Sequence, residues 1–219
     1  MFKRARLLVV TLLAFTALGL GQDGGRFDAS FNGAPIFTKE SDGNNIRQSA
    51  TIGANYFGTF RFKFKPKHSL IFNYGRAKNS QVYQTDFDYH VLTTISEISG
   101  GWLYAPFQKK KFDPFFLVGA AALGFSPRST WVFLPEFGGE PNNVQINLNA
   151  KKQTEAALMY GFGVDYHLPG NFSLRLQYRG FYYGNPNFHV NTNSGSPVSF
   201  VTATKGHMAE PSIGIVYRF

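Results

Sequence analysis

The chain has 219 residues, with 22 Lys and Arg against 13 Asp and Glu, a formal charge of +9 and the length of one ordinary domain. Hydrophobic residues at 43% with only 16% charged exclude a disordered polar tail, and a mean hydropathy of −0.17 excludes a chain built of membrane-spanning helices. There is no cysteine, so neither a disulfide framework nor thiolate chemistry is open to it. Aromatic residues reach 17%, with 24 Phe and 11 Tyr beside 23 Gly, the composition of a β protein whose rings meet a core or lipid.

Lys3, Arg4 and Arg6 precede the apolar run Leu7 to Leu20, which ends in small residues around Ala17, Gly19 and Gly21. That is the three-part form of a secretory signal, and its apolar run falls short of the roughly 20 residues a transmembrane helix needs. Cleavage is expected near Gly19 to Gln22, giving a signal peptide at 1–21 and one domain at 22–219. Loss of three cations and no anion lowers the formal charge from +9 to +6.

Past the signal, side chains alternate with period two, the signature of strands. Phe27, Ala29 and Phe31 alternate with Asp28, Ser30 and Asn32 in a first strand near 27–37. From Ile46, one long second strand places Ala50, Ile52, Ala54, Tyr56, Phe60, Phe62 and Phe64 opposite Ser49, Thr51, Asn55, Thr59, Arg61 and Lys63. The third runs from His68 to Arg76 with Leu70, Phe72 and Tyr74 on one face. The fourth runs from Phe87 to Tyr104, where Leu92, Ile98, Trp102 and Tyr104 oppose Glu97 and Ser99. The fifth, Pro114 to Phe125, is apolar on both faces, and Phe115, Leu117, Leu123 and Phe125 are assigned outward. The sixth sets Leu158, Tyr160, Phe162, Val164 and Tyr166 against Met159, Gly161, Gly163 and Asp165. The seventh sets Phe172, Leu174, Leu176, Tyr178 and Tyr182 against Ser173, Arg175, Gln177 and Arg179. The last sets Ile213, Ile215, Tyr217 and Phe219 against Ser212, Gly214 and Arg218.

Short turns at 65–67, 108–113 and 169–171 interleave with longer polar stretches near 38–46, 77–86, 126–150 and 184–204. This describes an up-and-down meander with two unlike ends. Prolines fall in connections or at strand ends, where a missing donor does little harm. Pro211 is the exception inside the last strand and is read as a local bulge.

Eight strands can close around an apolar ligand in water or turn their apolar face to lipid. The face opposite the rings mixes Gly, Ala and Ser with Glu97, Arg175, Arg179 and Glu210, which suits a narrow filled lumen. Only 16% charged residues is thin for a water-facing wall. Phe62, Trp102, Tyr104, Tyr166, Phe172, Tyr217 and Phe219 would form an interfacial girdle on the short-turn side. The fold class expected is therefore all-β: an eight-stranded antiparallel up-and-down transmembrane barrel preceded by a cleaved signal peptide.

The closing segment Ile213-Gly214-Ile215-Val216-Tyr217-Arg218-Phe219 and the segment Asp113-Pro114-Phe115-Phe116-Leu117-Val118-Gly119-Ala120-Ala121 are similar to the last and fifth strands of the small OmpA/OmpX-type outer-membrane barrels of diderm bacteria. The chain resembles that family over its whole mature length. The resemblance implies an outer-membrane location after secretion across the inner membrane. It also implies a C-terminal assembly signal, carried here by Ile215, Tyr217 and Phe219, that the barrel-assembly machinery reads. Its functional implication is a structural or surface-interaction role in envelope integrity or adhesion, with a small-solute channel as the alternative and a lipid A-modifying enzyme third.

Inside the lumen, Arg179, Glu97 and Glu210 fall at similar depth, so Arg179 and Glu210 on neighbouring strands should pair, with Glu97 reaching across. Asp165 should similarly meet Arg175. Unpaired charges in so narrow an interior would be desolvated at several kcal/mol each, and a static plug is favoured over a gate. Loop cations Lys39, Arg47, Lys78, Arg128, Lys151, Lys152 and Lys205 are placed to meet the phosphates of outer-membrane lipids and lipopolysaccharide, as Lys109, Lys110 and Lys111 are to meet inner-leaflet headgroups. Trp131, Phe133, Leu134 and Phe137 in the third loop form a docking patch or fold back on the rim. His68, His90, His167, His189 and His207 lack metal-site spacing, and His68 with Ser69 is the one adjacent His and Ser, at a periplasmic turn. No catalytic residue, metal or cofactor is expected, nucleic acid is not a partner, and the barrel should be a monomer.

Overall fold

The computed structural model describes residues 25–107, 111–134, 142–190 and 198–219. The signal peptide at 1–21, Lys109, Lys110 and Phe137 lie outside the described residues. Among the described residues eleven strands run in chain order: β1 (Phe27–Thr38), β2 (Ser41–Gly43), β3 (Ile46–Ala50), β4 (Gly53–Lys65), β5 (His68–Gln84), β6 (Asp88–Tyr104), β7 (Phe112–Leu134), β8 (Asn142–Ile146), β9 (Gln153–His167), β10 (Phe172–Gly184) and β11 (Lys205–Arg218). Eight of them, β1, β4, β5, β6, β7, β9, β10 and β11, pair each with the next in antiparallel register, and β11 returns to β1. The ring is closed, which leaves no free edge strand in the membrane belt.

The alternation resolves as expected in seven of the eight strands. Phe31, Tyr56, Phe72, Ile98, Phe162, Leu176 and Ile215 face out, while Asp28, Asn55, Asn73, Glu97, Asp165, Arg175 and Val216 face the axis. Around the short-turn end the rings touch in sequence: Phe27 and Phe62 at 4.9 Å, His68 and Trp102 at 5.4 Å, Phe112 and Tyr166 at 5.0 Å, Phe172 and Tyr217 at 5.2 Å. Amphipathic rings settle at that level because one side meets acyl chains and the other meets water.

The facing of the fifth strand is the reverse of the sequence expectation. In β7 it is Phe116 and Val118 that meet lipid, while Phe115, Leu117, Leu123 and Phe125 are buried inside, each at 5% exposure or less. Room for these large interior side chains comes from β9. Phe115 lies opposite Gly163, where a Cβ would stand 2.5 Å from the Phe115 ring.

Four other expectations are corrected. The long second strand is interrupted at Thr51 and Ile52 into β3 and β4, and β3 sits beside the far end of β5 as an extension above the wall. In the stretch 77–86, residues 77–84 are strand: β5 continues to Gln84 and β6 begins at Asp88, so the connection is only 85–87. Residues 126–134 likewise continue β7 and pair with β6 and β8. Above the lipid neither face must be apolar, so alternation lapses while the backbone ladder continues. Finally, Pro211 makes no bulge. It stays in register opposite Tyr178, and on its other side the β1 ladder lapses between Gly33↔Ile213 and Phe37↔Ala209 with the register unchanged.

Candidate functional site

The lumen gathers the charged residues into two tiers. In the tier nearer the short turns, Arg61 on β4 and Arg175 on β10 alternate with Asp28 on β1 and Asp165 on β9. Arg175 grips Asp165 with both Nε and Nη2, at 2.7 and 3.0 Å. Arg61 donates Nη2 to Asp165 at 2.8 Å and Nε to Asp28, and Arg175 Nη2 lies 3.5 Å from Asp28. Two guanidinium groups thus balance two carboxylates, all almost wholly buried.

In the second tier Arg179 on β10 reaches Glu97 on β6 through Nη1 and Nη2, at 2.7 and 2.9 Å, and reaches Glu210 on β11 through Nη2. Two carboxylates face one guanidinium here. Asn55 donates to Glu210 at 3.0 Å and the Ser99 hydroxyl to Glu97 at 2.7 Å, so the extra carboxylate oxygens also have donors. The Arg179 guanidinium stacks 3.6 Å from the centre of the Phe57 ring, which explains why one aromatic of β4 turns inward. A polar chain joins the tiers: Asn73 donates to Ser99 at 2.8 Å, Thr59 to Asn73 at 2.7 Å, Asn32 to Ser30 at 3.0 Å and Arg175 to Ser30 at 3.3 Å.

All five lumen residues singled out from the sequence, Arg179, Glu210, Glu97, Arg175 and Asp165, therefore lie in these two tiers. Asp28 and Arg61 were not singled out with them. Both sit on the polar face of their strands between aromatic neighbours, and that alternation with opposite charge was the available signal. Ile215, Tyr217 and Phe219 lie on the lipid face of the last strand or just past its end.

Toward the extracellular side the lumen becomes apolar. Leu123, Phe125, Phe181, Tyr183, Val91 and Met208 form its wall, and the connection after β10 drops Phe188, Val190 and Phe200 into it. Tyr83 stacks on Phe200 with ring centres 4.1 Å apart, and its hydroxyl donates to the Pro186 carbonyl. Phe188 and His189 adopt φ of 51° and 59°, a turn that L residues enter at a cost and that points Phe188 inward.

The histidines divide between several settings. His68 stacks on Trp102 in the outer girdle while Ser69 is buried inside, so the two adjacent residues point to opposite faces. At the short-turn mouth of the lumen, His167 donates from Nε2 to the Asp113 carboxylate at 2.8 Å, and its Nδ1 lies 3.1 Å from the Ser173 hydroxyl and faces a donated N–H of Arg218. This sequence-distant Ser, His and Asp contact has the order of a nucleophile, base and acid. The Ser173 hydroxyl is completely buried, and the guanidinium competes for the ring nitrogen that a base would use. Above the membrane, Phe133 packs 4.2 Å from His90. Burial there lowers the His90 pKa below 6.5. Among the described residues no group of three or more His, Asp or Glu is placed to hold a metal ion.

No curated protein matches the chain. Among solved structures it is similar to Neisserial surface protein A, at 18% identity over 90% of this chain and 100% of that one with a TM-score of 0.54. It is also similar to OprG from Pseudomonas aeruginosa, at 14% identity over 91% of this chain and 98% of that one with a TM-score of 0.59. At such identities the likeness is one of fold. A family model described as the outer membrane protein beta-barrel domain matches residues 6–219. With its rings toward lipid, its ion pairs toward the axis and almost its whole length matched, the chain belongs to the outer membrane beta-barrel family of Gram-negative-type bacteria.

Proposed function

We propose that this outer-membrane barrel is a closed structural element that presents a rigid sheet at the cell surface and serves envelope integrity or adhesion. The observation that carries the reading is the filled lumen. Two ion-paired tiers, the polar chain between them and the Phe188, Val190 and Phe200 side chains occupy it in succession, and an eight-stranded interior is only wide enough for side chains. Above the lipid, β5, β6, β7 and β8 continue as a paired sheet, a firmer surface for contact than four free loops. In this reading the barrel works as a monomer, and Ile215, Tyr217 and Phe219 are the strand-end pattern read by the barrel-assembly machinery. The lysines and arginines of the extracellular rim face lipopolysaccharide phosphates. Catalysis is not part of the proposal.

Recording from planar bilayers containing the refolded chain tests it. A closed barrel leaves the membrane at its baseline conductance. A steady unitary conductance of the wild-type chain would replace the structural reading with a channel.

A further inference from the structure

The seam between β1 and β11 is interrupted in the membrane wall. Lys39 N donates to His207 O at 2.8 Å, and Phe219 N donates to Phe27 O at 3.0 Å, so odd-numbered residues of this pair of strands occupy the positions that exchange two hydrogen bonds. Continuing the register from Gly33↔Ile213 sets Pro35 opposite Pro211 at such a position. Both residues lack an N–H. The carbonyl oxygens of Pro35 and Pro211 therefore face no backbone donor across the seam, and hydrocarbon supplies none. The outward side chains here are small or flat: Gly33 and Pro35 on one strand, Ala209 and Pro211 on the other. Phe31, Phe37, Tyr178 and Ile213 stand around them, all on the lipid side of the wall.

The same outward row of β11 carries polar groups above this notch. His207 Nε2 lies 2.6 Å from the Tyr160 hydroxyl, whose ring covers Gly180, and Lys205 is exposed one step higher. Lys205 and Pro211 are about 20 Å apart along the strand. From top to bottom the row reads cation, interfacial hydrogen-bonding pair, two carbonyl acceptors, then the apolar Ile213 and Ile215.

We propose that this seam binds an outer-leaflet lipid with an anionic headgroup and an acyl chain that carries a hydroxyl or amide donor. The headgroup phosphate meets Lys205 and the His207–Tyr160 pair, and the donor on the chain meets the carbonyls of Pro35 and Pro211. A plain acyl chain fills the notch but leaves both oxygens without a partner, so the site selects by the donor. This inference concerns the outer wall and stands whether or not the lumen conducts.

The test is native mass spectrometry of the full refolded chain in detergent, titrated with lysophosphatidic acid bearing a 3-hydroxymyristoyl chain or a plain myristoyl chain. The hydroxylated lipid should be retained at least fivefold more tightly. In Pro35→Ala/Pro211→Ala, which restores both donors to the ladder, the preference should vanish while retention of the plain lipid is unchanged. Ala209→Trp, which covers the notch without altering the prolines, should also abolish it, and it decides the matter if the proline variant does not refold. Equal retention of the two lipids by the wild-type chain would overturn the proposal, as would a preference that survives in Ala209→Trp.

Discussion

Arg179 is fixed in the lumen by two carboxylates and by the face of Phe57. Removing it leaves Glu97 and Glu210 adjacent and buried. Arg179→Ala should therefore destabilise the barrel by about 3–5 kcal/mol in urea titrations of the protein in bilayers. Glu210→Gln should cost far less, because one guanidinium and one carboxylate remain. The pairing of Arg179 with Glu210 was legible because neighbouring strands and equal distances from a turn define depth. Asp28 and Arg61 needed the same count applied to every polar residue of the first two barrel strands. Phe115 shows where alternation failed. Its strand is apolar on both faces, so composition could not choose between them, yet Asp113 lies at the start of the strand and its parity places the odd residues from Phe115 to Phe125 inside. Gly163→Ala, which sets a methyl against the Phe115 ring, should cost about 1–3 kcal/mol by the same titration.

At the level of strands, the barrel part of each element was readable because one face meets lipid and must be apolar. The extracellular parts were taken as loops because that constraint stops at the headgroups, although pairing does not. Tyr83 and Tyr89, which lie opposite each other there, are held by the β5–β6 ladder. His90 belongs to the same sheet and lies opposite Trp131 in the ladder. Burial lowers its pKa, so the unfolded sheet takes up its proton at a higher pH than the folded one. The contribution to stability is complete above the ordinary histidine range near pH 6.5 and is lost as pH falls from there to the depressed value. In a Trp102→Phe background, Trp131 fluorescence should be constant above neutrality and change reversibly on acidification across that interval. His90→Phe should flatten the response.

For the whole molecule, closure of the sheet and inversion of its faces go together. A ring of eight strands leaves an interior for side chains alone, so charges placed there must pair, and they do so around Arg61, Arg175 and Arg179. The apolar extracellular tier was not legible, because its Phe188, Val190 and Phe200 come from a connection whose polar composition gave no sign that three of its residues turn inward. Deleting residues 188–200 should raise the exposure of Tyr83 and Phe125, which an increase in binding of a hydrophobic dye to the refolded barrel would register.

The absence of cysteine allows single probes to be placed one at a time along β10. With spin labels at Phe172→Cys, Leu174→Cys and Leu176→Cys, alternating with Ser173→Cys and Gln177→Cys, relaxation by oxygen dissolved in the bilayer reads which face meets lipid. Strong relaxation at 172, 174 and 176 with little at 173 and 177 is the pattern of an inverted barrel. The opposite alternation, with the leucine positions shielded and 173 and 177 freely accessible to a water-soluble relaxant, would make this a soluble barrel with a dry interior and contradict its placement in the membrane.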